Sequence, residues 1–121
     1  SEVLNEGYVT YSNEAKERLL GVASETISDY GVVSRQTAAE MAAGAAKTAH
    51  TTIALSSTGV AGPDGGTKEH PVGDVYLGCC YNGSVMTQHM LGCGSRTEIR
   101  QQAVAAAFSL LEKMLTEEKI L

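Results

Sequence analysis

The sequence predicts an α/β layered domain, and three observations carry that expectation. Apolar residues recur at three- and four-residue intervals from Ala38 to Ala49 and again from Ile99 to Met114, the period of one helix face. Thr51 to Ser57 is a short run centred on Ile53, Ala54 and Leu55, bounded by polar residues, which reads as a buried strand. Asp74–Tyr81 and Ser84–Leu91 flank Asn82-Gly83, the dipeptide best suited to a two-residue hairpin turn, whose central positions both need positive φ.

The elements follow in order. Gly7 to Tyr11 offers strand-forming Tyr8, Val9 and Tyr11, and Ser12 and Asn13 then offer a helix N-cap. A short helix runs from Asn13 to about Leu20, with Ala15, Leu19 and Leu20 on one side and Gly21 placed to close it. Ser24 and Gly31 bracket a second short helix in which Ile27 and Tyr30 share a face. Ser34 opens a third, whose stripe of Ala38, Met41, Ala42, Ala45, Ala46 and Ala49, with Gly44 among them, is so small that the helix is expected to lie very close to a sheet or another helix. After the Thr51–Ser57 strand, residues 58–73 form a long loop rich in glycine and holding both prolines of the chain, the kind of segment that carries function. Ser95-Arg96-Thr97-Glu98 spells a capping box ahead of a last helix reaching about residue 115. No repeat or linker interrupts residues 1–121, so one domain is expected.

Composition narrows the function. With 9 Lys and Arg against 14 Asp and Glu, a net charge of −5 and no basic cluster, a nucleic-acid face is disfavoured, whereas a small anionic ligand needs only one or two local cations and oriented amides. An odd count of 3 cysteines fits a reducing compartment better than a disulfide scaffold. No apolar run approaches the ~20 residues of a spanning helix, so no membrane association is expected and a cytoplasmic location is the default. The start at Ser1, almost directly into a patterned segment, suggests that further sequence precedes it.

Four sets of residues have chemical potential. The loop Ser57-Thr58-Gly59-Val60-Ala61-Gly62-Pro63-Asp64-Gly65-Gly66-Thr67 leaves a strand end, where its amides, with the Thr58 and Thr67 hydroxyls, suit a phosphate or carboxylate; the plain alternative is a surface turn. It is neither a Walker loop nor a dinucleotide fingerprint. Tyr11 and Lys16 flank a strand-to-helix corner, where a lysine held between apolar walls becomes a base near neutral pH; the alternative is a solvated lysine and a core tyrosine. Arg96 and Arg100 sit one turn apart at the start of the last helix, suited to an anion or to solvent. Cys79, Cys80, His89 and Cys93 include no Cys-x-x-Cys, and adjacent strand cysteines point to opposite faces, so buried thiols are expected and no metal. His50 and His70 have no partner at a recognisable spacing.

Taken together, the stretches Tyr8–Lys16, Leu20-Gly21-Val22, Tyr30–Ser34, Gly59–Thr67 and Pro71-Val72-Gly73 resemble the C-terminal domain of the competence/damage-inducible protein CinA, over essentially the whole chain. The resemblance implies a three-layer α/β/α sandwich on a mixed sheet, with the family's first helix and strand absent from this chain. It implies a nicotinamide mononucleotide deamidase that releases ammonia and forms nicotinic acid mononucleotide in pyridine-nucleotide recycling, with no cofactor. By the family's motifs, Tyr11 and Lys16 are catalytic, and Thr58, Gly59, Gly62, Asp64, Gly65, Gly66 and Arg96 bind substrate. Gly94-Ser95-Arg96 departs from the family's frequent Gly-Asp-Arg. The nucleophilic serine is expected in a Glu-Ser-Cys-Thr-Gly-Gly segment upstream of these residues. The chain alone is therefore expected to be inactive, and to associate with further copies of itself or with an N-terminal peptide. The competing reading is a module that binds a nucleotide or phosphate without chemistry, or a structural domain.

Overall fold

The Ser12 side chain accepts from the Ala15 amide at 3.0 Å and so starts the first helix, which Gly21 ends in left-handed backbone at φ 67°. The computed structural model describes residues 3–121. Its elements are α1 (Asn13–Leu20), α2 (Ser24–Tyr30), α3 (Arg35–Ala49), β1 (Ile53–Gly59), β2 (Asp74–Tyr81), β3 (Ser84–Leu91) and α4 (Arg96–Glu117). Ser34 caps α3, and Ser95 caps α4 in a full reciprocal box with Glu98. Nothing on α2 itself caps its start. Instead, Glu40 of α3 accepts from the Ala23 amide at 2.9 Å and from the Thr26 hydroxyl at 2.6 Å. Thr26 thereby turns inward, while Ile27 is half-buried and Tyr30 is exposed.

The strands pair in the order β1-β2-β3, and Asn82 and Gly83 make the hairpin turn with φ of 49° and 85°. Both pairings among the described strands are antiparallel. The reason is that residues 60–73 contain no crossover helix, which a parallel partner for β1 would require. The Gly7–Tyr11 stretch is not a strand in the described structure. Tyr8 packs with Leu20, Val22 and Met41, and the Asn5 side chain donates to the Ala49 carbonyl at 3.1 Å, so this segment runs along the helices rather than joining the ladder.

Alternation along β2 sets the layers. Val75, Leu77 and Cys79 face α4 and pack with Ile99, Leu110 and Met114; Cys80 faces α3 and packs with Ala42 and Ala46. The adjacent cysteines thus enter opposite cores, and burial raises the Cys79 thiol to about 11. The small stripe of α3 does allow close approach on both sides. A Cβ on Gly78 would lie 2.5 Å from the Ala38 carbonyl oxygen, and one on Gly44 would lie 1.6 Å from that of Leu20. β1 is only half-buried, because within the described residues it is an edge strand paired on one side.

Candidate functional site

A cleft of about 1190 Å³ follows the outer edge of β1, bounded elsewhere by the chain before α1 and by α1 and α3. Lys16, Tyr11, Thr58 and Gly59 line it together. Lys16 is the fourth residue of α1, and because helical side chains lean toward the N-terminus its ammonium folds back across the Ser12 corner to donate to the Thr10 carbonyl. The residue is only 7% exposed, and among the described residues no carboxylate pairs with it. Burial lowers its pKa from the ordinary lysine value, since the charged form loses hydration that one carbonyl replaces incompletely. Tyr11, 87% exposed, stands at the rim.

Thr58 donates its hydroxyl to the Val32 carbonyl at 2.7 Å, which ties β1 to the turn before α3 and leaves the oxygen lone pairs as acceptors. Gly59 has to be glycine, because a Cβ there would meet the Asp74 carbonyl oxygen at 2.6 Å. Beyond Gly59 the loop turns away from the cleft. Gly62 and Gly65 take positive φ of 82° and 90°, and Gly62 and Gly66 pack against Val72. Asp64 is exposed. Arg96 reaches the loop from the first turn of α4, its Nη1 donating to the Gly62 carbonyl at 2.9 Å. Thus the structure brings Tyr11, Lys16, Thr58 and Gly59 to one cleft. Gly62, Asp64, Gly65 and Gly66 lie on the loop beyond, and Arg96 clasps that loop.

Outside the cleft lining, between the loop and the hairpin, is a constellation that sequence reasoning missed. Asp74, 4% exposed, accepts from His70 Nδ1 at 2.7 Å through Oδ2 and from His89 Nε2 through Oδ1. His70 therefore has a partner four residues on, at a spacing that the sequence reading did not recognise. His89 stacks on Tyr76 with ring centroids 4.4 Å apart, and the Arg35 guanidinium lies 5.9 Å from the Tyr76 ring centre. The hairpin register contained the signal: with Asn82-Gly83 as the turn, Tyr76 opposes His89, and Asp74 shares the face of Tyr76 one pleat away. Among the described residues, no three His, Cys, Asp or Glu side chains are grouped to hold a metal ion, and no helix is long and apolar enough to cross a membrane.

The family described as CinA C-terminal domain matches residues 1–115. The chain belongs to the CinA C-terminal domain family. A putative competence-damage inducible protein from Clostridium acetobutylicum is 56% identical over 113 residues, covering 93% of this chain and 28% of that protein. A CinA-like protein from Kosmotoga olearia is 50% identical over 115 residues, covering 95% and 28%. This CinA domain therefore spans little more than a quarter of those curated relatives. Among solved structures, a competence/damage inducible protein from Agrobacterium tumefaciens superposes with a TM-score of 0.84 at 46% identity, covering 88% of this chain and 66% of that one. A CinA superfamily protein from Escherichia coli gives 0.82 at 32% identity, covering 88% and 62%.

Proposed function

We propose that this CinA domain supplies the base and part of the ligand-holding surface of an amide hydrolase acting on nicotinamide mononucleotide. The observation that supports this reading is the buried Lys16 amine, paired with no carboxylate among the described residues, in the same cleft as Thr58 and Gly59. A lysine whose charged form is disfavoured by burial is available as a neutral amine. In the proposed reaction that amine takes the proton of a serine hydroxyl as its oxygen attacks the carboxamide carbon. The proton then passes to the departing nitrogen, ammonia leaves, and water hydrolyses the acyl-serine to nicotinic acid mononucleotide and restores the serine. Tyr11 at the rim orients the amine or relays its proton. Thr58 and the amides at the start of the glycine loop hold ligand oxygens. Arg96 acts through the loop, by its bond to Gly62, as well as by its charge.

The proposed serine belongs to a Glu-Ser-Cys-Thr-Gly-Gly segment, which is not among these 121 residues. Of the serines at the cleft, Ser56 commits its hydroxyl to the Ala38 carbonyl at 2.6 Å. The 121-residue chain is accordingly proposed to be inactive alone, with its β1 edge covered by a serine-bearing segment or a second copy, since an open strand edge and adjoining apolar surface favour association. Native mass spectrometry distinguishes a monomer from either assembly.

The decisive experiment is ammonia release in a protein containing both this domain and the serine segment. Lys16→Met should lower kcat by about 100-fold or more while calorimetric binding of nicotinamide mononucleotide stays within a few-fold. Unchanged turnover would refute the reading. Binding without ammonia release in the unmutated protein would instead establish a nucleotide-binding module.

A further inference from the structure

We infer that Asp74 is a positioning residue that locks two histidines into fixed tautomers and, through them, clamps the foot of the glycine loop to the hairpin and to α3. The inference goes beyond the proposed hydrolase and does not depend on it, because it concerns how the loop is held, whatever ligand the loop serves. A carboxylate only accepts hydrogen bonds, so both imidazole nitrogens that face it must carry hydrogen. His70 is then protonated on Nδ1, and His89 on Nε2. In the neutral rings this leaves His70 Nε2 and His89 Nδ1 as the bare nitrogens.

The consequence is mechanical. His70 belongs to the loop, where its amide donates to the Thr67 hydroxyl at 2.9 Å and its carbonyl accepts from the Thr67 amide at 2.9 Å. Asp74 also anchors the loop with its backbone: its carbonyl accepts from the Val60 amide at 2.9 Å, and its amide donates to Pro71 at 3.0 Å. Gly73 closes the base by donating to the Val60 carbonyl at 2.7 Å. On the other side, His89 of β3 carries the connection to Tyr76 of β2, over which lies Arg35, the first residue of α3. The backbone of Asp74 thus closes the two ends of the loop, while its buried carboxylate joins His70 of the loop to His89 of the hairpin and, through Tyr76, to the start of α3. The position suits this purpose, because a buried carboxylate satisfied on both oxygens fixes its partners far more tightly than an exposed one.

Nitrogen-15 spectra of the imidazoles, recorded at pH 8.5 on the unmutated chain, should show His70 in the Nδ1–H form and His89 in the Nε2–H form. Asp74→Asn keeps one accepting oxygen but presents an NH₂ to the other ring, so one of the two histidines should switch tautomer, a signature that loss of packing alone would not produce. Hydrogen exchange supplies the second readout. His70→Ala, at a half-exposed position that spares the core, should speed exchange of the Val60, Thr67 and Gly73 amides by about tenfold, with β2 centre and α4 amides unchanged. Opposite tautomers in the unmutated chain, no tautomer change in Asp74→Asn, or loop exchange unaltered by His70→Ala would each overturn the inference.

Discussion

Gly44 is where helix propensity and packing make opposite predictions. By propensity alone, Gly44→Ala in the middle of α3 should stabilise the helix by about 1 kcal/mol. The structure argues otherwise. The added Cβ would lie 1.6 Å from the Leu20 carbonyl oxygen, 2.7 Å from its carbonyl carbon and 3.2 Å from its Cα. All three are backbone atoms of α1, so no side chain can rotate away, and relief requires α1 to move by roughly 1.8 Å or more to reach ordinary contact distance. That movement would loosen the Leu20, Val22 and Met41 cluster and the Thr48 hydroxyl bond to the Leu19 carbonyl, 3.2 Å long. Overpacking of this kind costs up to about 3 kcal/mol, which leaves a net loss near 2 kcal/mol after the propensity gain. The corresponding fall in Tm is roughly 8 °C for a chain of this size. Thermal unfolding followed by circular dichroism measures it, with Gly7→Ala as the control because a Cβ there meets nothing within 4 Å. Because α1 also carries Lys16, the substitution should alter ligand binding in the cleft. A Gly44→Ala protein as stable as the parent or more so would show that the two helices are not in the close contact on which the shape of the cleft depends.

Ser95→Ala removes the hydroxyl half of the α4 capping box, leaving the backbone amide of residue 95 still able to donate to Glu98, and should cost about 1 kcal/mol in urea unfolding. The Glu98 carboxyl, held below its ordinary value first by the Ser95 amide and then by its hydroxyl, should rise only part of the way toward that value in an NMR titration, because the amide remains. At Asp74, burial pushes the carboxyl upward, but the bonds from His89 and His70 outweigh it and hold it below the ordinary value. Its stabilising contribution should therefore be complete above the ordinary aspartate pKa and be lost as pH falls through the lowered one, so Asp74→Asn should flatten the acid limb of the stability curve. Lys16 has the opposite sign: its lowered pKa makes the unfolded chain the better proton binder at alkaline pH, so stability should rise with pH up to the ordinary lysine value, and Lys16→Met should abolish that rise. Of the three thiols, Cys93 is exposed and Cys79 and Cys80 are buried, so a thiol reagent should modify one cysteine rapidly in the native protein and all three only after unfolding.

The sequence by itself determined the local elements. Serine caps at 12, 34 and 95, the glycine stop at 21, the Asn82-Gly83 turn and the apolar spacing of α3 and α4 depend on interactions within a few residues, and such signals survive in one dimension. The position of Lys16 at a corner beside Tyr11 was legible for the same reason. What only the tertiary structure decided depends on residues far apart in the chain. Gly7–Tyr11 has the composition of a strand, but propensity names no partner, and packing against α1 and α3 took it out of the ladder. The cap of α2 comes from Glu40, and the ligand-like Arg96 bonds to Gly62 across a loop that no local pattern measures. The Asp74 pair required the loop to bring His70 back onto β2 and the hairpin to bring His89 across, and a carboxylate is buried at such a point only because both donors arrive together.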